Sequence, residues 1–139
     1  MSLTANQMRC LLAILALTRV DEEVASKSVA KLLGVIRPTV HKALDILMNK
    51  GLLEKEHYGS AHLTEQGLAL AEQLEMRQER LILLFCRTFD LPMDESCTAA
   101  TLLMSGLSEE SLTRLERYSG AAPQQPGEEK PFRLRSGFL

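Results

Sequence analysis

The chain has 139 residues, 45% of them apolar, with 4% aromatics and no tryptophan. That length holds one domain, or a small domain with a helical appendage, and a core of Leu, Ala, Val and Ile favours helices packed on helices. Sixteen basic residues against eighteen acidic ones leave a net charge of −2, which argues against a globally basic, sequence-blind nucleic-acid binder but leaves room for a local basic face.

The three cysteines, Cys10, Cys86 and Cys97, are odd in number and show no paired spacing. They do not read as a disulfide framework, so a reduced, cytoplasmic chain is expected. The apolar run at residues 10–17 is too short to span a bilayer and follows polar residues directly. Neither a secretion signal nor a membrane helix is expected.

In chain order, residues 5–18 read as a helix whose apolar stripe is wide enough to be covered on more than one side. The acidic Asp21, Glu22 and Glu23 read as a solvated connection. A second helix is expected over 26–33, with Ser26 as N-cap and Gly34 as the left-handed residue that ends it. After a short turn, Pro38 marks the first turn of a third helix running to Asn49 or Lys50. Val40, Ala43, Leu44 and Leu47, at i, i+3, i+4 and i+7, give that helix one buried face. Residues 52–56 and 61–63 read as two strands of a hairpin with its tip at His57, Tyr58, Gly59 and Ser60.

Thr64 then caps a long helix, with Glu65 at its positive end and Gly67 in its first turn. This helix is expected to reach Thr88 or Phe89. Residues 81–86 are apolar all round, and in so small a chain the expected cover is a second copy, through Leu81, Leu84 and Phe85. Asp90, Leu91 and Pro92 break the helix. Asp94 is the expected cap of another over 95–104, and Ser108 of a last one reaching Tyr118. Beyond Gly120 the composition turns to Pro, Gly, Gln and Glu, which reads as a flexible tail.

Helix, helix, tight turn, helix, hairpin and long helix is the order of a winged helix-turn-helix. In that plan the third helix enters the major groove and the hairpin reaches the neighbouring backbone. Its buried face leaves Arg37, Thr39, His41, Lys42 and Asp45 outside. Between Val24 and Ser60 six Lys or Arg face three acids, a net +3 in a chain of −2. Such bases hold phosphates, or an Arg reads guanine, although single lysines such as Lys27 and Lys31 are also ordinary solvated surface. The expected DNA-contacting set is Lys27, Arg37, Pro38, Thr39, His41, Lys42, His57, Tyr58 and Ser60.

The segment LLGVIRPTVHKALDILMNKGLLEKEHYGSAHLTEQG resembles the recognition helix and wing of the metal-dependent repressors typified by the diphtheria toxin repressor and the manganese transport regulators. EMRQERLILLFCRTFDLPMDESC and LSEESLTRL are similar to their linker and dimerisation helices. The resemblance extends to about Tyr118 and implies a homodimer gripping two half-sites, with a metal as corepressor. It also implies ligands where this chain has Arg9, Leu12, Thr101, Met104 and Ser105, which are unsuited to a cation. Glu79 and Cys97 fall where the resemblance implies histidine ligands. With Cys10, or Met8, they form the remaining candidate set, set against the commoner fate of free cysteines as buried small hydrophobes.

These readings give a mainly α fold, with residues 1–72 a winged helix-turn-helix DNA-binding domain, 73–118 a helical dimerisation region and 119–139 a tail. The expected function is a DNA-binding transcriptional regulator, a repressor acting as a homodimer, with a degenerate metal site and no cofactor. One alternative is a repressor that responds to manganese, iron or zinc through atypical ligands; another is a winged-helix adaptor that binds protein. Redox sensing is disfavoured because Cys86 lies in an apolar stretch and Cys97 follows two acids. No phosphate loop or nucleophile triad points to an enzyme.

Overall fold

A computed structural model describes residues 3–20, 24–55 and 60–119. In chain order these form α1 (Ala5–Val20), α2 (Ser26–Leu33), α3 (Arg37–Asn49), β1 (Leu53–Lys55), β2 (Ala61–Leu63), α4 (Glu65–Leu83), a π-helical turn (Leu84–Thr88), α5 (Met93–Gly106) and α6 (Glu109–Glu116). The two strands pair antiparallel, with Leu53 opposite Leu63, Glu54 opposite His62 and Lys55 opposite Ala61. No helix among the described residues is long and apolar enough to cross a membrane.

The wide apolar stripe of α1 has a direct cause: α1 is central. It packs against α2, α3, α4, α5 and β2. Its side chains from Cys10 through Leu15 are all buried. One hydrophobic cluster runs from Leu3 on the N-terminal side to Leu112 on α6.

Several helix ends are written in local chemistry. Gly34 adopts φ 67° and ψ 32°, and its N–H closes on the Ala30 carbonyl, a conformation that costs a residue with a Cβ. Pro38 sits in the first turn of α3. Thr64 Oγ1 accepts from Gly67 N at 3.0 Å and donates to Gly51 O at 2.7 Å, so one hydroxyl caps α4 and ties it to the end of α3. Ser108 Oγ accepts from Ser111 N at the start of α6.

Two caps differ from expectation. The N-cap of α2 is Ala25, not Ser26, and no side chain caps it. The entry to α2 is held by the wing instead, through a bridge between Ala25 and Ser60 and a 2.7 Å bond from Ala61 N to Val24 O. Likewise α5 begins at Met93 after Pro92, so Asp94 lies inside its first turn.

The long fourth helix also ends differently. Its α-helical part stops at Leu83, and residues Leu84–Thr88 are π-helical. Asp90, at φ 55°, reverses the chain, and Leu91 N–H closes on Phe85 O at 3.0 Å. Ser96 reinforces this corner by donating to Pro92 O at 2.8 Å. The acidic connection at 21–23, the hairpin tip at 56–59 and the tail from Gly120 lie outside the described residues.

Candidate nucleic-acid interface

The site is built from α2, the turn 34–36, α3 and the wing. Val40, Ala43, Leu44 and Leu47 are the buried residues of α3, so that face is committed to the core. Arg37, Pro38, Lys42 and Asp45 are exposed, and Thr39 and His41 are half-buried. Lys27 is exposed in the first turn of α2, and Ser60 is half-buried at the base of the wing. Of the expected contacting residues, Lys27, Arg37, Pro38, Thr39, His41, Lys42 and Ser60 thus fall on one module. His57 and Tyr58 lie outside the described residues.

Charge at the helix starts separates α2 and α3 from α4, α5 and α6, while α1 has no acid in its first turn. α4, α5 and α6 all carry acids in their first turns, namely Glu65, then Asp94 and Glu95, then Glu109 and Glu110. Neither α2 nor α3 carries an acid there; each carries a base instead, Lys27 or Arg37. A helix start is the positive end of its macrodipole, so acids stabilise it and bases do not, by roughly 0.3–1 kcal/mol each. Between the two bases stands Ile36, 69% exposed, an apolar side chain at the entrance to α3 that sequence reading passed over.

The wing is pressed close to this module. A Cβ on Gly67 would lie 1.9 Å from the Leu52 carbonyl oxygen, and Thr64 N donates to that same oxygen at 3.1 Å. The first turn of α4 therefore lies directly on the backbone leading into β1. Only glycine fits at that contact.

The residues implied as metal ligands do not fit a cation. Arg9 carries a guanidinium that donates to Leu33 O at 3.3 Å. Leu12 and Met104 are buried. Thr101 is buried, donates to Cys97 O at 3.0 Å and accepts from Gln78 Nε2 at 3.3 Å.

Glu79 is half-buried, while Cys10 and Cys97 are buried. Burial pushes the Cys10 thiol up to about 11, against a smaller opposite pull from Arg9. Burial, with Cys86 and Asp94, pushes the Cys97 thiol up to about 11 as well. A thiol must lose its proton to ligate, so each of these raised thiols is a weaker ligand than an ordinary cysteine. Among the described residues no three His, Cys, Asp or Glu side chains are grouped to hold a metal.

The apolar stretch at 81–86 is covered from within. Leu81 is 0% exposed and Leu84 3%, and their cover comes from their own chain rather than a second copy, because α4 packs on both α1 and α5. Phe85 is half-buried, with its ring centroid 6.0 Å from that of Phe89. Among the apolar side chains left outside in this half are Phe89 and Leu102, each 60% exposed, together with Met76, Leu107 and Tyr118. A wheel drawn through α4 misplaces Phe89, since the π-helical turn shifts the register after Leu83.

No protein-family model matches the chain, and no curated protein sequence matches it. Solved structures do. The manganese regulator SloR superposes with a TM-score of 0.73 at 24% identity, over 84% of this chain and 54% of that one. The hypothetical protein SSo2273 from Sulfolobus solfataricus gives 0.62 at 21% identity, over 85% and 90%. IdeR of T. acidophilum gives 0.62 at 22% identity, over 87% and 56%. The chain thus spans about half the length of SloR. At these identities the likeness establishes the fold: the chain is a mainly helical protein with the winged helix-turn-helix architecture found in SloR and IdeR.

Proposed function

We propose that this chain is a transcriptional regulator that binds double-stranded DNA as a homodimer and represses by occupying its operator. The observation that carries the reading is the pair of basic helix starts. Lys27 and Arg37 occupy the first turns of α2 and α3, whereas α4, α5 and α6 hold acids there and α1 holds neither an acid nor a base. That placement costs folding energy in the free protein, and a phosphate backbone reverses the sign. Lys42 extends the basic edge along the exposed face of α3. The structural likeness to a manganese regulator supports a regulatory role.

In this reading residues 1–72 dock on DNA and 73–118 bring two copies together. Phe85, Phe89 and Leu102 are among the apolar side chains available for that contact, with Tyr118 and Leu107 also exposed, and Leu81 and Leu84 are buried behind them. Two recognition helices then meet half-sites about one helical turn, or a multiple of it, apart. On this reading DNA binding proceeds without a resident divalent metal, because Arg9, Leu12, Thr101, Met104 and Ser105 stand where the resemblance implies ligands.

The test is enrichment from a pool of genomic DNA fragments, run in chelator and again with added manganese, ferrous iron or zinc. Equal selective enrichment in both supports the whole reading. Enrichment only with metal refutes the metal-free part and points to Glu79, Cys97 and Cys10. No enrichment in either refutes DNA binding and leaves the protein-binding adaptor.

A further inference from the structure

Arg9 stands on α1 where the resemblance to the metal-dependent repressors implies a ligand, yet a guanidinium offers only donors. Its Nη2 turns to the helix-turn-helix and donates to the Leu33 carbonyl at 3.3 Å, across 24 residues of chain. Leu33 is the last residue of α2, and the final carbonyls of a helix have no partner inside it. The amides of Gly34 and Val35 both close on the Ala30 carbonyl. A cation at this negative helix end is favourable.

The position of this bond gives it a consequence. Leu33 directly precedes Gly34, the left-handed residue at which α2 ends and from which the chain turns into α3. α1, which carries Arg9, is also packed on α4 and α5. One guanidinium therefore joins the pivot of the helix-turn-helix to the helix that runs through the centre of the molecule.

We infer that Arg9 is a positioning residue for DNA recognition: its guanidinium fixes the pivot between α2 and α3 to α1 and so sets the angle at which α3 meets the groove. This rests on the DNA-binding reading above.

The test compares Arg9→Ala, Arg9→Met and Arg9→Lys with the wild-type chain on the enriched operator fragment and on unrelated DNA, over a range of salt. Arg9→Met keeps the apolar stem and loses the donors, so it decides the matter if Arg9→Ala does not fold. Loss of the bond is expected to weaken operator binding about ten-fold, the scale of one hydrogen bond to a charged group, with Arg9→Lys recovering part of it. Binding to unrelated DNA, and the slope of log affinity against log salt, are expected to stay at wild-type values. Lys42→Ala, removing a phosphate contact, is expected to reduce that slope by about 0.9.

Wild-type affinity in Arg9→Met overturns the inference. So does a fall in salt slope, which would make Arg9 a phosphate contact, and so does an equal loss on operator and unrelated DNA. A wild-type chain that binds no DNA removes the DNA-binding reading itself and this inference with it.

Discussion

Gly67→Ala is expected to destabilise the fold strongly, although alanine is the better helix former. In an open helix interior the exchange gains about 0.5–1 kcal/mol. Here the new Cβ would lie 1.9 Å from Leu52 O, 2.9 Å from Leu52 C and 3.2 Å from Leu52 Cα. All three are backbone atoms, so relief requires α4 to move away from the strand entry by more than an ångström. That movement strains the 3.1 Å bond from Thr64 N to Leu52 O and the 2.7 Å bond from Thr64 Oγ1 to Gly51 O. Overpacking costs about 1–3 kcal/mol and a weakened N-cap adds about 1; less the helix-propensity gain of about 0.5–1, the net loss is roughly 1–3.5 kcal/mol. Against a typical domain stability of about 5–15 kcal/mol that is a large fraction.

Gly106→Ala supplies the control, because a Cβ there meets nothing within 4 Å and no positive φ is required. It is expected to be neutral or to stabilise by a few tenths of a kcal/mol. The assay is urea unfolding followed by circular dichroism. A Gly67→Ala midpoint at or above that of Gly106→Ala would refute the close-approach argument.

Two further outcomes are expected. Arg77 donates from Nε to Glu116 at 2.8 Å and from Nη1 to Glu109, joining α4 to both ends of α6; Arg77→Met should cost roughly 1–2 kcal/mol and speed amide exchange in α6 before the core. Unchanged α6 exchange would contradict this. The second concerns alkaline pH. Cys10 and Cys97 ionise at about 11 in the fold against their ordinary 9.0. Above pH 9 the unfolded chain loses these protons first, so stability is full below about 9 and declines as pH rises toward 11. Cys10→Ala and Cys97→Ala should flatten the decline seen in melting curves, and an unaltered slope would rule out the thiols as its source.

The helix order, the buried face of α3 and the ends at Gly34, Pro38, Thr64 and Ser108 could be read from the sequence. Each depends on a side chain acting within a few residues of itself, or on a period that does not need a partner. The basic bias between Val24 and Ser60 was also visible, because charge is a property of composition.

What covers an apolar surface was not visible. Residues 81–86 read as covered by a second copy, but α1 and α5 close over Leu81 and Leu84, and only packing reveals that the long helix lies against α1, α5 and α6. Ala25 begins α2 without a side-chain cap, and Ser60 and Ala61 return from the wing to hold the backbone of Val24 and Ala25. Arg9 read as a lost ligand in the sequence and became a link to Leu33 only when α1 was laid across α2. Local turn chemistry sets where elements begin and end; the cross-chain contacts that bury, hold and aim them depend on helix directions that no short stretch of sequence encodes.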